Sequence, residues 1–245
     1  MNEESVLSAL SVALTAAVGA LAGAAARPVI FARSVPAPTA ARSSCPHCGS
    51  AVLDRRLPLL PFSGRCPACS ETIGPRPLAP EAAAAIAFAV VAAGGASGWF
   101  AAAQYWVAAC GVALALIDLA VQRLPDILTL PACGGTLILL SAAAVAGESG
   151  SLGRAAAAAA VLTIVFLLIA LTGAMGLGDV KFAPAIGALL GWSSWTILFW
   201  GAAAGFVVGA VSEVARMAAG RARRTHVSFG PYMVIGALAV SVAAA

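Results

Sequence analysis

The sequence predicts an all-α polytopic membrane protein of about eight transmembrane helices with one small cytoplasmic zinc-binding loop domain. Three observations predict it. The chain is 61% apolar and only 10% charged, whereas a soluble domain is about 25% charged. Apolar runs near the ~20 residues needed to cross a bilayer recur along it. Its one long polar insert carries two C-x2-C pairs.

The apolar runs give spans at about 5–26, 81–98, 99–117, 127–147, 154–174, 181–194, 195–217 and 229–245. GGASG (94–98) separates the second from the third, and GWSSW (191–195) separates the sixth from the seventh. The start, MNEESVLSALSVALTAAVGALAG, is acidic and has no basic n-region or convincing cleavage site. It reads as a retained first helix rather than a signal peptide. Many spans are rich in Ala and Gly, which lets helix backbones approach closely inside a bilayer. This organises the chain as a first helix (1–26), a cytoplasmic loop (27–80) and a membrane core (81–245).

Charge sets the orientation. With the N-terminus outside, thirteen of the 14 Lys and Arg fall on the inner side and only Arg154 falls outside. That asymmetry follows the positive-inside rule. The expected partner of this charge pattern is the lipid bilayer, with no nucleic acid.

The loop contains CPHC (45–48) and CPAC (66–69). Cys45, Cys48, Cys66 and Cys69 can supply four thiolates to one tetrahedral Zn2+. A segment this short buries little core, so a metal can provide much of its folding free energy. A disulfide fits a reducing compartment less well. His47 reads as a surface histidine, and Cys110 and Cys133, within spans, as small packing residues.

Three acids stand out among the 10 in the chain. Asp118 and Asp126 lie in LALIDLAVQRLPDILTLP (114–131), and Asp179 lies in GLGDVK (176–181). Asp118 ends the third span and Asp179 follows the fifth, so both are expected at one membrane depth on the cytoplasmic side. An acid at a hydrophobic edge is a candidate functional group. Two carboxylates sharing a proton could perform aspartyl proteolysis. Gly176 and Gly178 would then allow unusual backbone angles or a close approach by a peptide. The alternative is that the acids reach the headgroups or pair with Arg123 and Lys181. Spacing alone leaves both open.

These motifs resemble those of the prepilin peptidases, the type IV leader peptidase family of membrane aspartyl proteases. GLGDVK is similar to the family's G-x-G-D-x-K, and IDLAVQRLPD is similar to the segment bearing its other aspartate. VSFGPYMVIGAL (227–238) resembles its F-G-P-containing final helix, and the paired C-x2-C loop resembles the N-terminal region of bifunctional members. The resemblance implies that Asp118 and Asp179 are catalytic, with Gly176, Gly178, Lys181 and Asp126 supporting them. It implies prepilin or pseudopilin substrates with a basic leader, cleaved after a glycine at the cytoplasmic face of the bacterial inner membrane. Bifunctional members also methylate the new N-terminus with S-adenosylmethionine. Of the Gly-Ser-Phe-Leu-Asn-like stretch of those members, VGALAGAAARP (18–28) keeps little beyond Gly19, Gly23 and Arg27, and Glu81 matches an acid before the second span. Methyl transfer is therefore left open.

Two other classes remain. A transporter or channel would show internal repeats or midplane acids. A zinc-stabilised scaffold would leave the aspartates without a role. Trp99, Trp192 and Trp195 are expected in an outer interfacial belt, and Trp106 and Trp200 between helices. RARRTH (221–226) reads as a topology-setting loop, and Glu213 and Arg216 as an ion pair at i, i+3. Nothing in the sequence forces the cysteine loop to touch the acids.

Overall fold

The computed structural model describes residues 3–36, 39–53, 63–220 and 228–243. Arg55, Arg56 and the run 221–226 lie outside them. Eight helices are found among the described residues: α1 (Glu3–Arg33), α2 (Ala79–Ala93), α3 (Gly98–Val121), α4 (Asp126–Val145), α5 (Leu152–Leu171), α6 (Leu177–Ser193), α7 (Trp195–Ala218) and α8 (Gly230–Ala243). Each expected span thus has a helix. Five of them, α1, α3, α4, α5 and α7, are long and apolar enough to cross a membrane. Helices α2, α6 and α8 have 15, 17 and 14 residues, short of the ~20 that a full crossing needs. The apolar side chains Leu7, Leu10, Leu14 and Leu21 of α1 stand outward, as a lipid-facing helix requires.

Short links turn the chain back on itself, so links alternate between two ends. Glycines fix which helices lie closest. Gly19 and Gly23 of α1 face the backbone of Ala84 and Pro80 in α2. Gly187 and Gly191 of α6 face Ala158 of α5, and Gly201, Gly205 and Gly209 of α7 face Leu190, Tyr232 and Phe229. Each set repeats at four residues, so one helix face is stripped of side chains. The expectation from Ala and Gly content holds at these positions.

Helix α6 is the centre of the bundle. Phe182, Ala183, Ala185, Ile186, Ala188, Leu189, Leu190 and Trp192 are all buried on it. This corrects its predicted boundary. The helix starts at Leu177 rather than 181, so Asp179 lies in its first turn and not in a loop. A helix enclosed on all sides need not match the bilayer thickness, which is why its apolar run is short.

The tryptophans also differ from expectation. Trp192 is buried in the core, against Gly150, whose lack of a side chain leaves room for the indole. Trp200 is exposed, whereas Trp106, though partly exposed, packs from α3 onto Gly135 of α4 as expected, its Nε1 donating to the Pro131 carbonyl at 3.1 Å. Trp99 and Trp195 are exposed. Arg216 and Glu213 pair at 3.3 Å.

Gly191→Leu should separate α5 from α6, because a Cβ there meets the Ala158 side chain and approaches the Arg154 carbonyl. Overpacking of this kind costs about 1–3 kcal/mol. Thermal unfolding in mild detergent should show the loss. Gly134→Leu, at a glycine with open space around it, should leave the midpoint nearly unchanged.

Candidate active site

The end of the bundle that carries the α3–α4 and α5–α6 links holds a cleft of about 550 Å³. It is lined by Asp118, Arg123, Leu124, Asp126, Gly176, Gly178, Asp179 and Lys181, among others. Two sequence motifs 61 residues apart therefore form one site. They meet at Leu124 and Gly178, and at Asp126 and Lys181. A Cβ on Gly178 would lie 3.2 Å from Leu124 Cβ and Cδ1, closer than ordinary packing. The backbone approach at this glycine is made by Leu124. The unusual backbone angles are not found, for Gly176 has φ −75°.

Asp118 and Asp179 are each only 3% exposed. They arrive from opposite directions, Asp118 in the last turn of α3 and Asp179 in the first turn of α6. Asp118 is held from three sides. Its Oδ2 accepts the Gly230 N–H at 3.1 Å. Its carbonyl accepts the Ser228 hydroxyl at 3.1 Å and the Gln122 N–H at 2.8 Å. Gln122 closes α3 in the left-handed region, with φ 52°. Asp179 is held less: Oδ1 is buried with no hydrogen-bond partner among the described residues. An unmet buried acceptor is costly and marks a place for a proton or an incoming group.

The other predicted site residues divide. Asp126 and Lys181 meet across the cleft, Lys181 Nζ donating to Asp126 Oδ1 at 2.7 Å. Gly176 caps α6. Cys133 lies beside this region, its Sγ donating to the Lys181 carbonyl at 3.4 Å. Cys110 is a buried core residue. Ser228 and Gly230 were not among the residues singled out for the site. Their only signal was the F-G-P resemblance: Gly230 acts through its backbone amide, and the Ser228 hydroxyl meets a carbonyl 110 residues away.

The four loop cysteines gather in a separate lobe. Their Sγ atoms lie within 4.8 Å of one another, with Cys45–Cys69 and Cys48–Cys66 at 3.7 Å. Tetrahedral zinc with bonds of ~2.3 Å places sulfurs roughly 3.8 Å apart, so the thiols are placed to hold such a metal. Each pair sits on the same kind of turn. Bridges Ser44–Ala51 and Arg65–Thr72 flank them, and Gly49 N–H and Ser70 N–H return to the Cys45 and Cys66 carbonyls at 2.9 Å. The Ser50 hydroxyl, with nearby backbone amides, draws the Cys66 thiol down to about 6. At Cys69 the Glu71 backbone lowers the thiol, but desolvation and the neighbouring thiols outweigh it and push it up to about 12. His47 is exposed on the rim of its turn, as expected.

The lobe is joined to the core through α1. Phe31 packs with Cys45, Cys66 and Ile73, while the preceding Ile30 packs with Ala113 and Ile117 of α3. Arg42 Nε and Nη2 donate to the Phe31 and Ile73 carbonyls at 2.8 and 3.0 Å. At the base of the lobe, buried Arg27 forms an ion pair with Glu81, with Nη2 to Oε2 at 2.7 Å.

The model of the type IV leader peptidase family matches residues 105–212. A prepilin leader peptidase/N-methyltransferase of Burkholderia pseudomallei is 34% identical over 208 residues, covering 81% of this chain and 66% of its own. The Aeromonas hydrophila protein of the same name is 33% identical, covering 79% of this chain and 69% of its own. The chain belongs to the type IV leader peptidase family. It spans about two thirds of those relatives' length. The Pseudomonas aeruginosa relative, also a prepilin leader peptidase/N-methyltransferase by name, is 33% identical over 201 residues. No solved structure matches the chain. The matched segment takes in Asp118, Asp126, Asp179 and Lys181 of this leader peptidase homologue, and leaves the cysteine lobe and α8 outside it.

Removing one partner of the buried Arg27–Glu81 pair should be costly. Arg27→Ala leaves a buried carboxylate without its cation, a loss of about 3–5 kcal/mol. Replacing both by leucine should recover most of the thermal stability, which unfolding in detergent would measure.

Proposed function

We propose that the chain is a membrane aspartyl peptidase that removes the basic leader from type IV prepilin or pseudopilin precursors. The observation that carries it is the placement of Asp118 and Asp179, buried on two different helices yet lining one cleft. Two buried carboxylates lining one cleft do not both ionise readily, so one proton is shared. The ionised member takes a proton from water, and the protonated member polarises the carbonyl of the peptide bond. The Gly230 amide fixes the direction of the Asp118 carboxylate during that exchange. Asp126, exposed and paired with Lys181, stands apart from the shared proton.

The cleft is assigned to the cytoplasmic side, with the N-terminus outside. Arg27, Arg33, Arg42, Arg65, Arg76 and Arg123 group with the lobe and the cleft end in the chain's alternation, while Arg154 lies at the opposite end, beside the α6–α7 link. That distribution supports the positive-inside assignment. A transporter would need a route between the two ends. The packed side chains of α6 fill that interior, which favours the peptidase.

Zn2+ is proposed for Cys45, Cys48, Cys66 and Cys69, where it would tie the two turns into one folded lobe. S-adenosylmethionine has weaker support. Gly19 and Gly23 pack against α2 and Arg27 is engaged by Glu81, so the residues that resemble the methyl-transfer stretch present no open cradle. No methylation step is derived from them.

Asp118→Asn and Asp179→Asn should each reduce leader cleavage at least ~10²-fold, since an amide cannot carry the proton, while both proteins still insert. Asp126→Asn should keep far more activity. Mass spectrometry of a co-expressed prepilin reports the cleavage position and any N-terminal methyl group together. Full cleavage by both Asn variants would reject the aspartyl assignment. A requirement for Asp126 with Asp118 dispensable would exchange their roles.

Purified protein should carry about one zinc per chain, as one four-thiolate site requires. Cys66→Ser with Cys69→Ser should lose that zinc and expose the lobe to proteolysis. Partial cleavage should survive, since the acids remain, but below wild type because Ile30 and Phe31 link lobe and α3. Protein level must be measured beside activity. Undiminished cleavage would show that this contact is mechanically idle.

A further inference from the structure

Two buried polar groups at the cleft end of the bundle have no hydrogen-bond partner among the described residues. One is Asp179 Oδ1. The other is the hydroxyl of Thr129, a residue only 1% exposed. Buried hydroxyls are nearly always paired. Inside a helix a threonine can bond the carbonyl four residues back, and this chain uses that solution elsewhere. Thr136 and Thr163 donate to the Ala132 and Ala159 carbonyls at 2.7 and 2.6 Å. The Thr129 hydroxyl does not, although its own backbone N–H bonds to the Pro125 carbonyl at 3.2 Å.

The register of α4 shows where Thr129 faces. Thr129, Ala132, Thr136, Leu140 and Ala143 form its buried face. At about 100° per residue, Asp126 and Cys133 fall on one flank of that face, and Pro131 and Gly135 on the other. The first flank meets Lys181 of α6. The second meets Trp106 of α3. Thr129 therefore faces the interior between α3 and α6, the two helices that carry Asp118 and Asp179. It lies within one turn of the start of α4, as Asp118 does of the end of α3 and Asp179 of the start of α6. Leu128, the preceding residue, packs against the cluster that holds Ile117, the residue before Asp118. The acids themselves are held unevenly. Asp118 Oδ2 has the Gly230 amide at 3.1 Å. Asp179 Oδ2 lies toward the helix cap, 3.7 Å from where a Cβ on Gly176 would stand, and Oδ1 is buried without a donor.

We propose that Thr129 is a positioning residue of the peptidase, whose hydroxyl donates to Asp179 Oδ1 when substrate is bound and orients that carboxyl as the Gly230 amide orients Asp118. This rests on the peptidase reading above. An unpaired donor and an unpaired acceptor, both buried and both facing one interior, are complementary. Closing the contact only on the way to reaction places its stabilisation in the transition state rather than in the resting fold, where it raises the rate and not the affinity.

The test uses the full-length protein in mild detergent with one purified precursor. Thr129→Val keeps the branched shape and removes the hydroxyl, while Thr129→Ser keeps the hydroxyl. Thr129→Val should lower kcat about tenfold, the worth of one hydrogen bond to a charged group, with KM unchanged. Thr129→Ser should keep most of the wild-type rate. The thermal midpoint of Thr129→Val should not fall, because a buried hydroxyl without a partner gives the resting fold nothing to lose. In the Asp179→Asn background, with residual cleavage read at high enzyme concentration, Thr129→Val should cost little more, since it acts on the group already removed. A wild-type kcat for Thr129→Val overturns the proposal. So does an equal loss in Thr129→Val and Thr129→Ser, or a loss that accompanies a lowered midpoint, since either makes Thr129 a packing residue. An undiminished further loss on top of Asp179→Asn overturns the assignment to Asp179. Should Thr129→Val fail to fold, Thr129→Ala is read in its place by the same outcomes. All of these leave the peptidase intact. Wild type that cuts no precursor, or Asp179→Asn that cuts it fully, overturns the peptidase reading and the role of Thr129 with it.

Discussion

The site depends on one missing side chain. Gly178 lets Leu124 come against the first turn of α6, and that contact joins the end of α3 to the start of α6. Asp118 lies six residues before Leu124, and Asp179 directly follows Gly178. Any side chain at 178 would push against both Leu124 and its backbone N, which a Cβ would approach to 3.3 Å. This approach brings the stretch after Asp118 against the residue before Asp179. The burial of α6 on every side then holds Asp179 at a fixed depth, since a helix packed all round cannot slide without opening voids.

Much of this was legible in the sequence, for physical reasons that also mark the limits. Apolar runs located all eight helices, because helix length and hydrophobicity dominate a chain in lipid. The C-x2-C spacing located the lobe, because two such turns bring four sulfurs into a tetrahedron. The start of α6 was misplaced because Gly-Leu-Gly reads as a loop. Gly176 instead serves as the cap, and Asp179 sits in the first turn, where the exposed N–H groups favour an acid. Trp192 could not be placed from its own position. Its burial depends on Gly150, in the link between α4 and α5, and no local pattern joins the two. The Gly230 contact spans 112 residues and is made by a backbone amide, so only folding exposes it.

Helix α1 carries two surfaces on consecutive residues. Ile30 belongs to the packing around Ile117, which precedes Asp118, and Phe31 belongs to the lobe beneath Cys45 and Cys66. A helix turns by 100° per residue, so neighbouring side chains face different partners. The lobe is thereby seated on the outside of the same helix end whose inner side supports α3. Arg42 strengthens the seat by meeting backbone carbonyls of both α1 and the lobe, with its guanidinium 4.4 Å from the centre of the Phe31 ring. Movement in the lobe cannot be independent of the last turn of α1.

The same geometry bears on the question of a second activity. Gly19, Gly23 and Arg27 lie at four-residue intervals, and so on one face of α1. That face is the one covered by α2: Gly19 and Gly23 admit its backbone, and Arg27 closes on Glu81. Close packing of α1 and α2 is sufficient reason for all three residues. Their resemblance to a methyl-transfer stretch is therefore no independent sign of methyl transfer, since a chain with peptidase activity alone would need them to hold α1 in place. The acids of the cleft have no such second explanation. Burying Asp118 and Asp179 together opposes stability, and packing offers nothing in return, so the chemistry they perform is the stronger inference.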